Sequence, residues 1–226
     1  MGCGAERVDD SPLGINNLRI DAGWRATSWM SYTHWLTHHP DCHPLFLVIS
    51  FFCLRFDVLH VFDLGVTSLI LANVMFYASR STMILDSGTI SQKTDALWGH
   101  IEMLYKISGA SGTVSTIGGL KESNFSDTHA PTSTFPALHG IKGAQARHLA
   151  PIMLHVLRQF ARPDIEVEQH MLSCVTHLVA FYGVIDIHLG RYLSDEHIAT
   201  VRSSVDLMMV HYNWLAHWAM REGVTM

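Results

Sequence analysis

At 226 residues, with 48% hydrophobic and 15% charged content, the chain can bury one sizeable core or two small ones. A net charge of −5 excludes the broad basic surface of a non-specific nucleic-acid binder, so any DNA contact would be local. Cys3, Cys42, Cys53 and Cys174 are widely spaced and form no Cys-x-x-Cys pair, which points to reduced thiols in an intracellular protein and not to a disulfide framework.

Residues 1–20 are polar, carry the adjacent acids Asp9 and Asp10, and read as a flexible leader without the apolar core of a signal peptide. Gly2 and Cys3 suggest acylation, but Glu6 stands where that pattern asks for Ser or Thr. From residue 21 to the end the expectation is a single, mostly helical domain. Trp24, Trp29, Tyr32 and Trp35 crowd a segment that runs into Pro40 and Pro44. The apolar run at 45–54 is a candidate buried extended element. A helix from Val58 to Ser79 follows. Its stretch 58–78 is long and apolar enough to suggest a membrane span, yet Asp63 and His60 lie in its first turns and make a core helix the better reading.

Leu97, Ile101, Leu104 and Tyr105 recur at helical spacing and predict a helix over about 93–107, with Ser91 as cap. Residues 108–142 hold many Gly, Ser and Thr and read as an irregular loop, the best linker candidate in the chain. The rest is helical. "AQARHLAPIMLHVLRQFA" places His148, Ile152, His155 and Gln159 on one side and Leu149, Met153, Val156 and Phe160 on another, and Pro163 stops it. The next helix starts at an Asp164 cap and ends near Gly190; the last is capped by Ser194 and closed by Gly223. The fold class is therefore mainly α: a short buried extended element before the central apolar helix, then a three-helix bundle at 143–222.

Sixteen histidines invite a search for metal sites. His34, His38, Cys42 and His43 supply enough N and S donors for zinc, although their spacing matches no standard finger. His170, Cys174 and His177 fall on one helix face and could hold a metal with help from a neighbouring helix, or be half-buried bundle residues. Arg147, His148 and Arg158 form the one small basic patch suited to phosphate contact, unless they are a solvated helix face. Asp57, His60 and Asp63 are spaced along one helical stripe after an apolar run, where a Mg²⁺- or Mn²⁺-dependent nuclease would place hard oxygen ligands. The alternative makes Asp57 a helix cap and has Asp63 satisfy a neighbouring backbone group or Arg.

"HPLF" at 43–46, "DVLHVFDLGV" at 57–66, "ARHLAPIMLHV" at 146–156, "HLVAFYGVID" at 177–186, "YLSDEH" at 192–197 and "HYNWLAHWAM" at 211–220 resemble a large uncharacterised family expanded in algal protist genomes and associated with mobile elements. The likeness runs from about Trp24 onward. Asp57 and His60 also resemble the Asp-x-x-His signature of eukaryotic DDE (RNase H-like) transposases, and the helices from 143 to 221 would match the helical insertion that follows it. That likeness implies catalytic roles for Asp57 and His60, metal ligation by Asp57 and Asp63, DNA as partner and a nuclear location. Against it, Asp21 and Asp41 are only nominal candidates for a first catalytic acid, and the chain ends at Met226 before a Glu that could complete the set. The expectation is a transposase-derived remnant, truncated and not competent alone. The alternatives are a helical protein-interaction or scaffold domain, binding a protein partner through its C-terminal helices, and a zinc-stabilised helical module.

Overall fold

A helix that is apolar all round sits at the centre of a bundle, and the run after Asp57 does so here. The computed structural model describes residues 59–110, 112, 116–125, 136–187 and 193–223. The chain divides between Asp57 and Val58, and every described residue belongs to the C-terminal unit. The leader, the aromatic segment, the extended element at 45–54, the cluster of His34, His38, Cys42 and His43, and Asp57 lie outside the described residues.

Among the described residues there are five α-helices: α1 (Thr67–Arg80), α2 (Ile90–Ile107), α3 (Gly143–Phe160), α4 (Glu166–Ile187) and α5 (Asp195–Glu222). Among the described residues there is no strand, so the chain is mainly α as its pattern predicts. The predicted helix 58–79 is present, but its first part, Leu59–Val66, is wound as a π-helix. That wider i→i+5 winding changes the spacing between His60 and Asp63 from that of an α-helix. In α1 the side chains of Ile70, Leu71, Ala72, Val74, Met75 and Ala78 are all buried. The stretch Val61–Arg80 is long and apolar enough to cross a membrane, and most of it is buried within the fold.

Helix α2 begins earlier than its apolar spacing suggests, and the cap is Thr89, not Ser91. Thr89 Oγ1 accepts from Gln92 N at 3.3 Å while Gln92 Oε1 accepts from Thr89 N at 2.8 Å, a reciprocal capping box. Helix α3 buries Leu149, Met153, Val156 and Leu157, and leaves His148, His155 and Arg158 exposed. Ile152, grouped by spacing with the histidines, is buried instead, because the apolar face is wider than one stripe. Pro151 lies inside α3 and has no N–H for the carbonyl one turn back, that of Arg147.

The described parts of 108–142 are irregular apart from a short 3-10 turn at Glu122–Asn124, and they pack on the same core as the helices. Ile117, Leu120 and Phe125 are buried in the same cluster as the helices. Gln145 Nε2 of α3 donates to Thr116 O at 2.9 Å, and Leu138 N donates to Ser68 Oγ of α1 at 3.0 Å.

Helices α4 and α5 are antiparallel: His170 meets His211 and Cys174 meets Met208, so the register falls along one as it rises along the other. Helix α4 starts at Glu166, after the predicted Asp164 cap, whereas Ser194 and Gly223 bound α5 as expected. Ser194 Oγ accepts from His197 N, and Gly223 takes the left-handed conformation at φ +64°.

The α3–α4 corner is closed by Glu168, whose side chain is fully buried. Its Oε2 accepts from Arg162 N at 2.8 Å and Arg162 Nε at 3.1 Å, and its Oε1 accepts from Arg162 Nη2 and from Tyr77 Oη of α1 at 3.1 Å. Burial and the adjacent carboxylate push the Tyr77 hydroxyl up to about 12, so it stays a donor. Arg162 Nη1 reaches Thr82 Oγ1 at 2.8 Å, joining the corner to the turn after α1. Glu168→Ala is expected to cost about 3 kcal/mol, since it leaves these donors without an acceptor. Exposed Arg158→Ala should change stability by less than about 0.5 kcal/mol. Urea midpoints at constant slope check both.

Candidate functional site

The acid that follows the apolar run is Asp63, 3% exposed and within the π-wound segment that leads into α1. Tyr182 Oη of α4 donates to its Oδ1 at 2.5 Å. With that proton committed, the Thr67 hydroxyl donates to Tyr182 Oη at 2.7 Å. Arg147 of α3 places Nε 3.9 Å from Asp63 Oδ1 and Nη2 3.3 Å from Asp186 Oδ1, ion pairs that lack hydrogen-bond geometry. Its guanidinium also lies over the Tyr182 ring, 4.8 Å from the centroid. Burial and the Asp63 carboxylate raise the Tyr182 hydroxyl well above its ordinary range, which keeps it protonated as donor.

The structure thus places Asp63 against a neighbouring Arg, the second of the two roles its sequence context allowed. Arg147 is paired with these acids, whereas His148 and Arg158 are exposed on α3. His60 falls in the π-wound segment, and Asp57, on which the transposase-like signature turns, is outside the described residues.

A second polar group joins α4 to α5. His170 Nδ1 and His211 Nδ1 are 3.0 Å apart, so one of the two carries the proton they share. The His170 ring stacks on Trp214 at 3.8 Å between centroids, and the His177 ring lies 5.9 Å from that of His211. Burial, then the neighbouring His170 and His177, hold His211 down at about 4; burial lowers His170 and His177 as well. Cys174, expected on a face with His170 and His177, is drawn into the core, where its thiol donates to Met208 O at 3.7 Å. Burial pushes that thiol up to about 12. Among the described residues no group of three His, Cys, Asp or Glu side chains is placed to hold a metal ion.

The third feature is a cavity of about 260 Å³ between α1, α4 and α5. Leu69, Ile70, Val74, Met171, Cys174, Leu215 and Ala216 give it an apolar wall, with Asn73 and Tyr212 as its polar residues. Asn73 Nδ2 donates to Leu69 O at 2.8 Å, and Asn73 Oδ1 is buried without a hydrogen-bond partner. An unmet buried acceptor of this kind costs about 1–3 kcal/mol. An Asn in the middle of an apolar helix is visible in the sequence; that α4 and α5 leave a space beside it is not.

No protein-family model, curated protein or solved structure matches this chain.

Tyr182→Phe removes the donor to Asp63 and the acceptor for Thr67, and should cost about 2 kcal/mol, a fall of about 6 °C in a thermal melt. The histidines set a pH dependence. His211 titrates near 4 when folded and near 6.5 when unfolded, so the unfolded chain binds more protons between these values. The stabilisation is complete above pH 6.5 and is lost as pH falls toward 4. Allowing for the half-burial of the ring, it amounts to about 2 kcal/mol. Urea midpoints of the wild type should fall across that window, and His211→Phe should flatten the fall.

Proposed function

We propose that the protein is a helical interaction module that self-associates through α5. The observation that carries this reading is a line of exposed apolar side chains on the longest helix: Ile198, Met209 and Met220 are 45%, 37% and 67% exposed. Successive members are eleven residues apart, about three turns, so each returns to within about 20° of the last, and the line runs about 33 Å along α5. Large apolar groups aligned in water favour a partner that covers them.

The spacing of this line favours a second copy of the chain as that partner. Ile198 and Met220 are equidistant from Met209, so an antiparallel pairing about a two-fold axis through Met209 sets Ile198 of one copy against Met220 of the other. The same operation brings the first turn of α5 beside the Arg221–Glu222 ion pair of the other copy, so the spacing of the apolar residues and not a charge match sets the register.

Light scattering on the purified full chain at about 100 µM should give the mass of a dimer. Met209→Glu places two carboxylates at the axis and should return the monomer mass with far-UV circular dichroism unchanged. A wild type that remains monomeric at that concentration overturns the proposal, as does a dimer indifferent to Met209→Glu.

A further inference from the structure

We infer that His170 of α4 and His211 of α5 form a two-histidine site for a divalent transition-metal ion of the copper or nickel class. The two rings come from different helices, both are half-buried, and their Nδ1 atoms are 3.0 Å apart. Two nitrogens on adjacent corners of a square or octahedral ion, each about 2.1 Å from it, stand about 3.0 Å apart. Two corners of a tetrahedron at that bond length stand about 3.4 Å apart. The spacing therefore favours Cu²⁺ or Ni²⁺ over Zn²⁺, and the order of divalent affinities puts Cu²⁺ first.

The proton that the two rings share is no obstacle. Moving it from Nδ1 to Nε2 of the same ring changes the tautomer at constant charge and leaves both Nδ1 lone pairs for the ion. Two side chains are a sparse set, and water completes the coordination. The surroundings suit a cation: the Glu166 carboxylate, one turn before His170 on α4, favours positive charge at that ring, and the face of Trp214 stacks on it at 3.8 Å and fixes its plane. Spacing along α4 groups His170 with Cys174 and His177, but the Cys174 thiol is turned to Met208 O, and the His177 ring lies parallel to that of His211 with 5.9 Å between centroids. The second ligand comes instead from α5, and His177 stands outside the pair.

Trp214 reports on the site, because a paramagnetic ion beside the stacked rings quenches indole emission. CuCl₂ added to the full chain should quench the Trp214 share of the fluorescence, defined as the part lost in Trp214→Phe, and the quench should saturate at one ion per chain. His211→Phe and His170→Phe should each abolish it with far-UV circular dichroism unchanged, whereas His177→Phe should retain it. ZnCl₂ in about tenfold excess over CuCl₂ should not reverse it. Absence of a Trp214 quench in the wild type, or a quench that survives either ligand substitution, overturns the site; reversal by an equal concentration of ZnCl₂ overturns the metal class.

Discussion

Burying the stretch Val61–Arg80 on most of its sides obliges every polar group on it to find a partner within the protein. The hydrophobic contribution of Ile70, Leu71, Val74 and Met75 favours placing this stretch at the centre. That same placement strips water from Asp63, Thr67, Ser68, Asn73 and Ser79. The neighbouring elements are fixed largely by how they answer: α4 through Tyr182, α3 through Arg147, and the irregular segment before α3 through Leu138 N on Ser68. Ser79 turns back on Phe76 O, and Asn73 alone among these keeps an atom unmet. The cavity beside Asn73 is therefore the one place where the central helix is incompletely answered.

Glu168 plays the complementary part at the other end of α1. A carboxylate with no exposed surface is costly to desolvate, and it is tolerated because guanidinium, backbone N–H and phenol all donate to it. Those donors come from the α3–α4 turn, α4 itself being held at its first turn, and from α1. One buried charge thus sets both the angle at which the chain reverses and the helix against which it reverses. Asp63 works on the same principle: Tyr182 donates to it, and Arg147 approaches it at ion-pair distance without hydrogen-bond geometry.

How much of this was legible follows from the range of each interaction. Ser194, Asp195, Glu196 and Gly223 bound α5 by contacts within a turn, and local sequence is enough to read them. Thr89 was readable too, because Gln92 three residues on completes a capping box, but the adjacent Ser91 competes for attention when only the apolar spacing is followed. Helicity at 59–66 was readable and its π winding was not. The Asp63–Arg pairing could be anticipated as a type, since a buried carboxylate needs a cation, whereas its dependence on Tyr182 joins residues 119 apart in sequence. Cys174 shows the limit of face arguments: spacing groups it with His170 and His177, but a thiol is apolar enough to be pulled into the core while the imidazoles stay at the α5 interface.

Helix α5 is held differently from α1, and the difference decides where the molecule can change. Of its 28 residues only Ser204, Met208, Leu215 and Ala219 are buried, against most of α1. Much of its attachment runs through aromatic and imidazole rings, Trp214 on His170 and Trp218 edge-on to Tyr77, rather than through a deep aliphatic stripe. Elements with few buried contacts open at lower free energy than the core. The cavity lies under this helix, and the exposed line Ile198–Met209–Met220 lies along it. Whatever loosens α5, including protonation of His211 at low pH, acts on the wall of the cavity and, through Trp218 on Tyr77, on the Glu168 corner, whereas Tyr182 and Arg147 tie Asp63 to α4 and α3.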